Sequence, residues 1–155
     1  GYNMPGKYLI IINGKVADTE EAYFKGQEVA NDFLIDTLFL PHPDENVLLA
    51  IDKKFQNIHA RESNSLAIIE CMTVASTIKS LDISLKCTPV MVTHLQLAQN
   101  LHGKGYFELV GKLEDLESSV EEVKKNISAE KLFQTEIIAR PHRELLPYLA
   151  SDKLL

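Results

Sequence analysis

At 155 residues and 17.4 kDa, the chain has the length of one ordinary domain or two small ones, enough to bury a core without metal or disulfides. Its 45% hydrophobic and 25% charged residues, with only 7 Gly and 6 Pro, exclude disordered and fibrous classes. No window holds the roughly 18 uninterrupted apolar residues of a membrane span, and the formal charge of −6 argues against a surface that tracks nucleic-acid phosphates.

The first predicted strand is YLIII at 8–12, rich in aromatic and β-branched residues and ended by Gly14. An acidic helix follows over 17–32 (ADTEEAYFKGQEVAND), with Asp18 near the positive end of its macrodipole. FLIDTLFL at 33–40 reads as a second strand, stopped by Pro41-His42 and followed by a short apolar tail. Residues 52–64 (DKKFQNIHARESN) are polar and read as a linker.

SLAIIECM at 65–72 then reads as a strand, and VASTIKSLDISLKC at 74–87 as a helix with Val74, Ile78, Leu81 and Leu85 on one face. VMVTHLQLA at 90–98, entered through Pro89, is another strand. GKGYFELVGKL at 103–113 carries the next strand. In the helix after it, Leu116, Val120, Val123 and Ile127 form an apolar stripe, with Glu117, Glu121, Glu122 and Lys124 outside it. FQTEIIAR at 133–140 is the last strand, ended by Pro141-His142 and followed by a terminal helix.

These elements repeat. GKYLIIINGKV at 6–16 matches GKGYFELVGKL at 103–113 with Gly6, Lys7, Gly14 and Lys15 on Gly103, Lys104, Gly111 and Lys112, a constant offset of 97. Each copy continues through an acidic helix, an apolar strand and Pro-His. The second unit is complete as β-α-β-β-α-β, whereas the first begins only at its third strand, so its N-terminal half is expected to be missing. Strands without their sheet would expose edges and an apolar face, and partner chains are expected to cover them.

Individual residue types offer little chemistry. His42 and His142 follow Pro without a recognisable nucleophile or orienting carboxylate, although Glu144 is near in sequence. His59 and His94 lack zinc-ligand spacing, and Cys71 and Cys87, outside any CxxC or CxxxH context, read as reduced small hydrophobes in a cytosol. GYNMPGKYLI also lacks the basic start and cleavage site of a signal peptide. One open reading is a small trimeric α/β regulatory module that binds an effector between subunits through the Gly6 and Gly103 loops. Against it, GxxxxGK[ST] and GxGxxG are both absent. An enzyme using His142 and Glu144 would lack a recognisable constellation.

Taken together, Glu70 in the opening strand, Asp82 and Lys86 in the helix, the Gly103 loop, the Gly111 strand end and the terminal Arg140-Pro141-His142 resemble a bacterial microcompartment (BMC) shell domain. Residues 4–51 resemble the second half of a first such domain, as in the tandem, trimeric type found in propanediol-utilisation compartments. Two departures stand out: the incomplete first domain, and Leu40-Pro41-His42 where the family has Arg-Pro-His.

The resemblance implies an α/β (α+β) tandem fold, each domain a sheet of about four strands with flanking helices. Residues 1–51 would form part of the first domain, 52–64 the linker and 65–155 the second domain. It further implies a non-enzymatic shell tile in the cytoplasm, in which three chains make a pseudohexagonal disc with a central pore. Its partners would be two further copies of itself, other shell proteins edge to edge, and encapsulated enzymes, with neither nucleic acid nor membrane.

On the same resemblance the pore is lined by Tyr2, Asn3, Met4, Pro5 and Gly6 and by Asn100, Leu101, His102 and Gly103. The tile edge uses Lys86, Arg140 and His142. Some tandem members carry a Cys before Pro-Gly-Lys that holds an iron–sulfur cluster. Met4 stands at that position, and a neutral thioether is a poor substitute for thiolate, so no cluster and no other cofactor are expected.

Overall fold

The computed structural model describes residues 7–55, 65–98, 101–142 and 144. Helix α1 spans Val16–Ala30 and passes through a 3-10 turn, Asn31–Phe33, into an irregular segment; a two-turn helix, α2, covers Glu45–Ile51. Then come β1 (Ser65–Cys71), α3 (Val74–Cys87), β2 (Met91–Leu97), β3 (Gly105–Gly111), α4 (Leu113–Asn126) and β4 (Leu132–Ile138). The four strands form one antiparallel sheet in the order β2-β3-β1-β4.

This is the β-α-β-β-α-β order expected for the second unit. Strand alternation sends Ala67, Ile69 and Cys71 of β1 and Phe107 and Leu109 of β3 to the same side, all of them fully buried. Helices α3 and α4 cover that side. The α4 stripe is buried as its spacing demands, with Leu116 and Val123 at 0% exposure, Val120 at 4% and Ile127 just beyond the helix at 5%. On α3, Val74 and Leu81 are buried, while Ile78 and Leu85 pack partly against the core.

Helix α3 also buries Ser76, Thr77, Ser80 and Ser84, small side chains that let it approach the sheet closely. Three of these hydroxyls bond locally: Thr77 Oγ1 donates to the Thr73 carbonyl at 2.7 Å, Ser84 Oγ to that of Ser80 at 2.9 Å, and Ser76 Oγ to that of Thr73 at 3.0 Å. Thr73 caps the helix N-terminus, accepting the Ser76 N–H in a capping box.

The first unit departs from expectation. Residues 8–12 and 33–40, expected as strands, form none: 8–12 and 34–40 lack regular structure, and Phe33 closes the 3-10 turn. Their counterparts in the second unit, β3 and β4, both pair with β1. Among the described residues no strand stands beside either segment, and strand-prone residues without a ladder partner do not make a strand. Tyr8, Ile10 and Phe33 consequently lie 93%, 79% and 92% exposed. The apolar tail is α2, which adds Val47 and Ala50 to the second unit's core. In the polar stretch, Phe55 packs against the core, and the terminal helix expected after Pro141-His142 lies outside the described residues.

The close approach of α3 to the sheet makes a specific demand at Gly105. A Cβ there would lie 2.6 Å from Thr77 Oγ1 and 2.9 Å from the Gln96 carbonyl oxygen. Gly105→Ala is expected to cost about 1–3 kcal/mol in urea denaturation followed by circular dichroism. Gly26 in α1 has nothing within 4 Å of its Cβ position, so Gly26→Ala is expected to be neutral or to add about 0.5–1 kcal/mol of helix stability. Equal effects at the two positions would contradict this packing.

Candidate functional site

Two regions carry the residues singled out above: the β2–β3 connection and the charged edges of the helical layer. In the first, the Ala98 N–H donates to the Lys104 carbonyl at 2.9 Å, and the Leu101 and Lys104 N–H groups bond within the turn, each at 3.1 Å. Gly103 has φ +88°, where a side chain is strained, and His102 also turns left-handed at φ +57°. His102 is exposed at the tip, with Leu101 and Gly103 half-buried beside it.

The base of this turn is anchored to the sheet. Lys104 Nζ sits 3.2 Å from Glu70 Oε1 and lies over the Phe133 ring at 3.5 Å from its centroid, joining β1, β3 and β4. Lys7 Nζ reaches the tip and donates to the His102 carbonyl at 3.4 Å. The residue that follows the first candidate loop thus touches the second. Asn3, Met4, Pro5 and Gly6, together with Tyr2 and Asn100, lie outside the described residues.

At the edges, Lys86 near the end of α3 pairs with Asp82 one turn earlier, Nζ to Oδ2 at 2.7 Å, and donates to the His42 carbonyl at 2.7 Å. Arg140 follows β4 and lines a shallow depression with Ser65, Lys112, Leu113, Glu114 and Glu117. The chain beside it is tied down by Ser65 Oγ, which donates to the Ala139 carbonyl at 2.6 Å. His142 Nδ1 accepts the Glu144 N–H at 3.4 Å and lies 3.8 Å from Glu144 Oε2, with both side chains open to solvent.

A further node escaped sequence reasoning. Asp36 enters a niche between α3 and the β4 turn, where Thr73 Oγ1 and Lys131 Nζ donate to it, the latter at 2.7 Å. Burial pulls its pKa upward, but the bonds from Lys131, Thr73 and the Thr37 N–H, with the Lys131 charge, outweigh that and hold it below the usual carboxylate value. The neighbouring Thr37 hydroxyl bonds Tyr23 and Gln27, each at 3.0 Å, so α1 hangs from this point. A single carboxylate interrupting the apolar run FLIDTLFL was the available signal.

On the sheet's other face His94 stacks against Phe55 and Tyr106, with centroids at 6.3 and 5.3 Å. Burial pushes the Glu108 carboxyl upward there, partly offset by a hydrogen bond from Thr93. Among the described residues no group of three or more His, Cys, Asp and Glu is placed to share a metal. Nor is any helix among them long and apolar enough to cross a membrane.

Fold and site thus define an α/β domain that presents a tight glycine turn and charged edges. The BMC domain profile matches residues 65–141. The bacterial microcompartment shell protein PduT of Citrobacter freundii is 30% identical over 143 residues, covering 91% of this chain and 76% of that protein. The crystal structure of a microcompartment protein from Desulfitobacterium hafniense superposes with a TM-score of 0.75 at 27% identity, covering 86% of this chain and 73% of that one. The chain belongs to the BMC-domain family of bacterial microcompartment shell proteins, a structural rather than enzymatic family.

The Asp36 node carries a pH prediction. Because its folded pKa is depressed, the stabilisation is fully present above the ordinary carboxylate pKa and is lost as pH falls through the lowered value. Exchange of the Thr37 amide, which donates to Asp36 Oδ1 at 2.9 Å, is therefore expected to accelerate, relative to β1, below about pH 4. Asp36→Asn is expected to raise exchange there about fivefold at pH 7 and to flatten the pH dependence. An unchanged acid profile in Asp36→Asn would contradict the assignment.

Proposed function

We propose that the protein is a tile of a microcompartment shell, in which three copies close into a pseudohexagonal disc around a pore for small molecules. Residues 1–51 serve as part of a first BMC domain, 52–64 as the linker and 65–155 as the second domain. The two candidate loops, Asn3, Met4, Pro5 and Gly6 with Asn100, Leu101, His102 and Gly103, line the pore. Arg140 and His142 serve the outer edge, which meets other shell proteins, while the inner face meets encapsulated enzymes.

The observation that carries this reading is the Lys7 contact to the His102 carbonyl. It joins segments 95 residues apart that occupy equivalent places in the two repeats. Loops flanking such a contact can alternate around a common axis when copies of the chain associate. The turn is also suited to close approach, because Gly103 presents no Cβ and its neighbours are held by backbone bonds.

Family membership supplies the second support, since the Citrobacter relative is itself a shell protein. The exposed apolar residues of the first unit, including Tyr8, Ile10 and Phe33, supply a third, because an assembly would cover them. The proposal includes no cofactor. Met4, where some tandem relatives have Cys, would face the pore with a neutral thioether, which does not suit an iron–sulfur cluster.

Electron microscopy of the overproduced protein tests the tile directly. The unaltered chain is expected to form flat sheets or tubes, and Arg140→Ala is expected to leave discrete discs that no longer tile. Saturable binding of a nucleotide by a particle that never forms sheets would contradict the proposal.

A further inference from the structure

The family resemblance would place Lys86 at the outer edge of the tile, and in the chain itself its head group is engaged by two acceptors. Asp82, 5% exposed, is a carboxylate withdrawn from solvent on α3. Its Oδ1 accepts the Asp44 N–H at 2.8 Å, while its Oδ2 receives Lys86 Nζ at 2.7 Å. The same ammonium donates to the His42 carbonyl at 2.7 Å. One turn of α3 thus grips the first unit's Pro-His turn at two backbone groups two residues apart.

What that grip holds is consequential. Asp44 is also the N-cap of α2, its side chain accepting the Asn46 N–H at 2.9 Å. Directly after it, Val47 and Ala50 enter the core at 1% exposure each. The chain between α1 and the shell domain is therefore fixed where α2 begins. Two of the three donors that an ammonium offers are taken by acceptors at short range. Withdrawing the cation would leave the buried Asp82 carboxylate, among the described residues, with the Asp44 N–H alone to offset its charge.

We propose that Lys86 is a positioning residue that clasps the Pro41-His42-Pro43 turn and α2 of the first unit onto the shell domain. Its carbonyl partner is supplied by its own chain. The clasp stands on the intrachain contacts alone and does not depend on the shell reading.

Hydrogen exchange measured by mass spectrometry on the whole protein tests it, using Lys86→Met, which keeps the apolar stem and removes the charge. Exchange in peptides covering 44–51 is expected to rise about tenfold, because a charge-assisted bond is lost at the cap. Exchange in β1 and β3 is expected to stay unchanged, and Lys86→Arg is expected to recover part of the protection. Unchanged exchange at 44–51 in Lys86→Met would overturn the clasp.

Discussion

The structure depends on one constraint: the side of the sheet that carries Ile69, Phe107 and Leu109 must be covered by α3 and α4. These three side chains are at 0% exposure, as are Leu81 and Leu116, which come down on them from the two helices. Dry packing of this kind, at roughly 1.5–3 kcal/mol per buried large side chain, outweighs any single polar contact in the molecule. It also fixes the rest. With β1 and β3 central in the sheet, the β2–β3 turn projects from a rigid base, and Gly105 is required where Thr77 approaches the backbone. Three of the buried hydroxyls of α3 are tolerated because they bond to carbonyls of the helix or its cap, and that of Ser80 pairs with Cys71 Sγ at 3.3 Å.

The second unit was legible because most of its periodic signals agree with its surroundings, although α3 buries Ser76, Thr77, Ser80 and Ser84 more deeply than Ile78 and Leu85 of its apolar stripe. The α4 stripe is correct residue by residue, and the six-element order follows from runs of β-branched and aromatic residues separated by Pro and Gly. The first unit was legible only in α1 and in the position of its Pro-His turn. YLIII and FLIDTLFL have strand composition, but composition describes a side chain's suitability for a pleated surface and supplies no neighbour to pair with. The tail became α2 because Asp44 caps it and the second unit offers a place for Val47 and Ala50.

The charged contacts were the least legible part, for a physical reason. Asp36, Thr73 and Lys131 meet across up to 95 residues of sequence, as do Lys7 and His102, and no local spacing encodes such meetings. Lys86 shows the same limit in another form: the i,i+4 pair with Asp82 is readable on the helix, whereas its bond to the His42 carbonyl is not. Together with the Lys7 contact to His102, the Asp36 node and the Lys86 clasp attach the first unit to the shell domain by polar bonds, and α2 adds an apolar attachment. The surface left open, with Tyr8, Ile10 and Phe33, is where the proposed tile would bury its first unit against neighbouring chains.

The central claim is that this chain closes into a threefold disc, and absolute mass by light scattering on a sizing column tests it most directly. The account predicts a particle of three times the 17.4 kDa chain mass, independent of concentration over the micromolar range. A clean monomer at the same concentrations would contradict it.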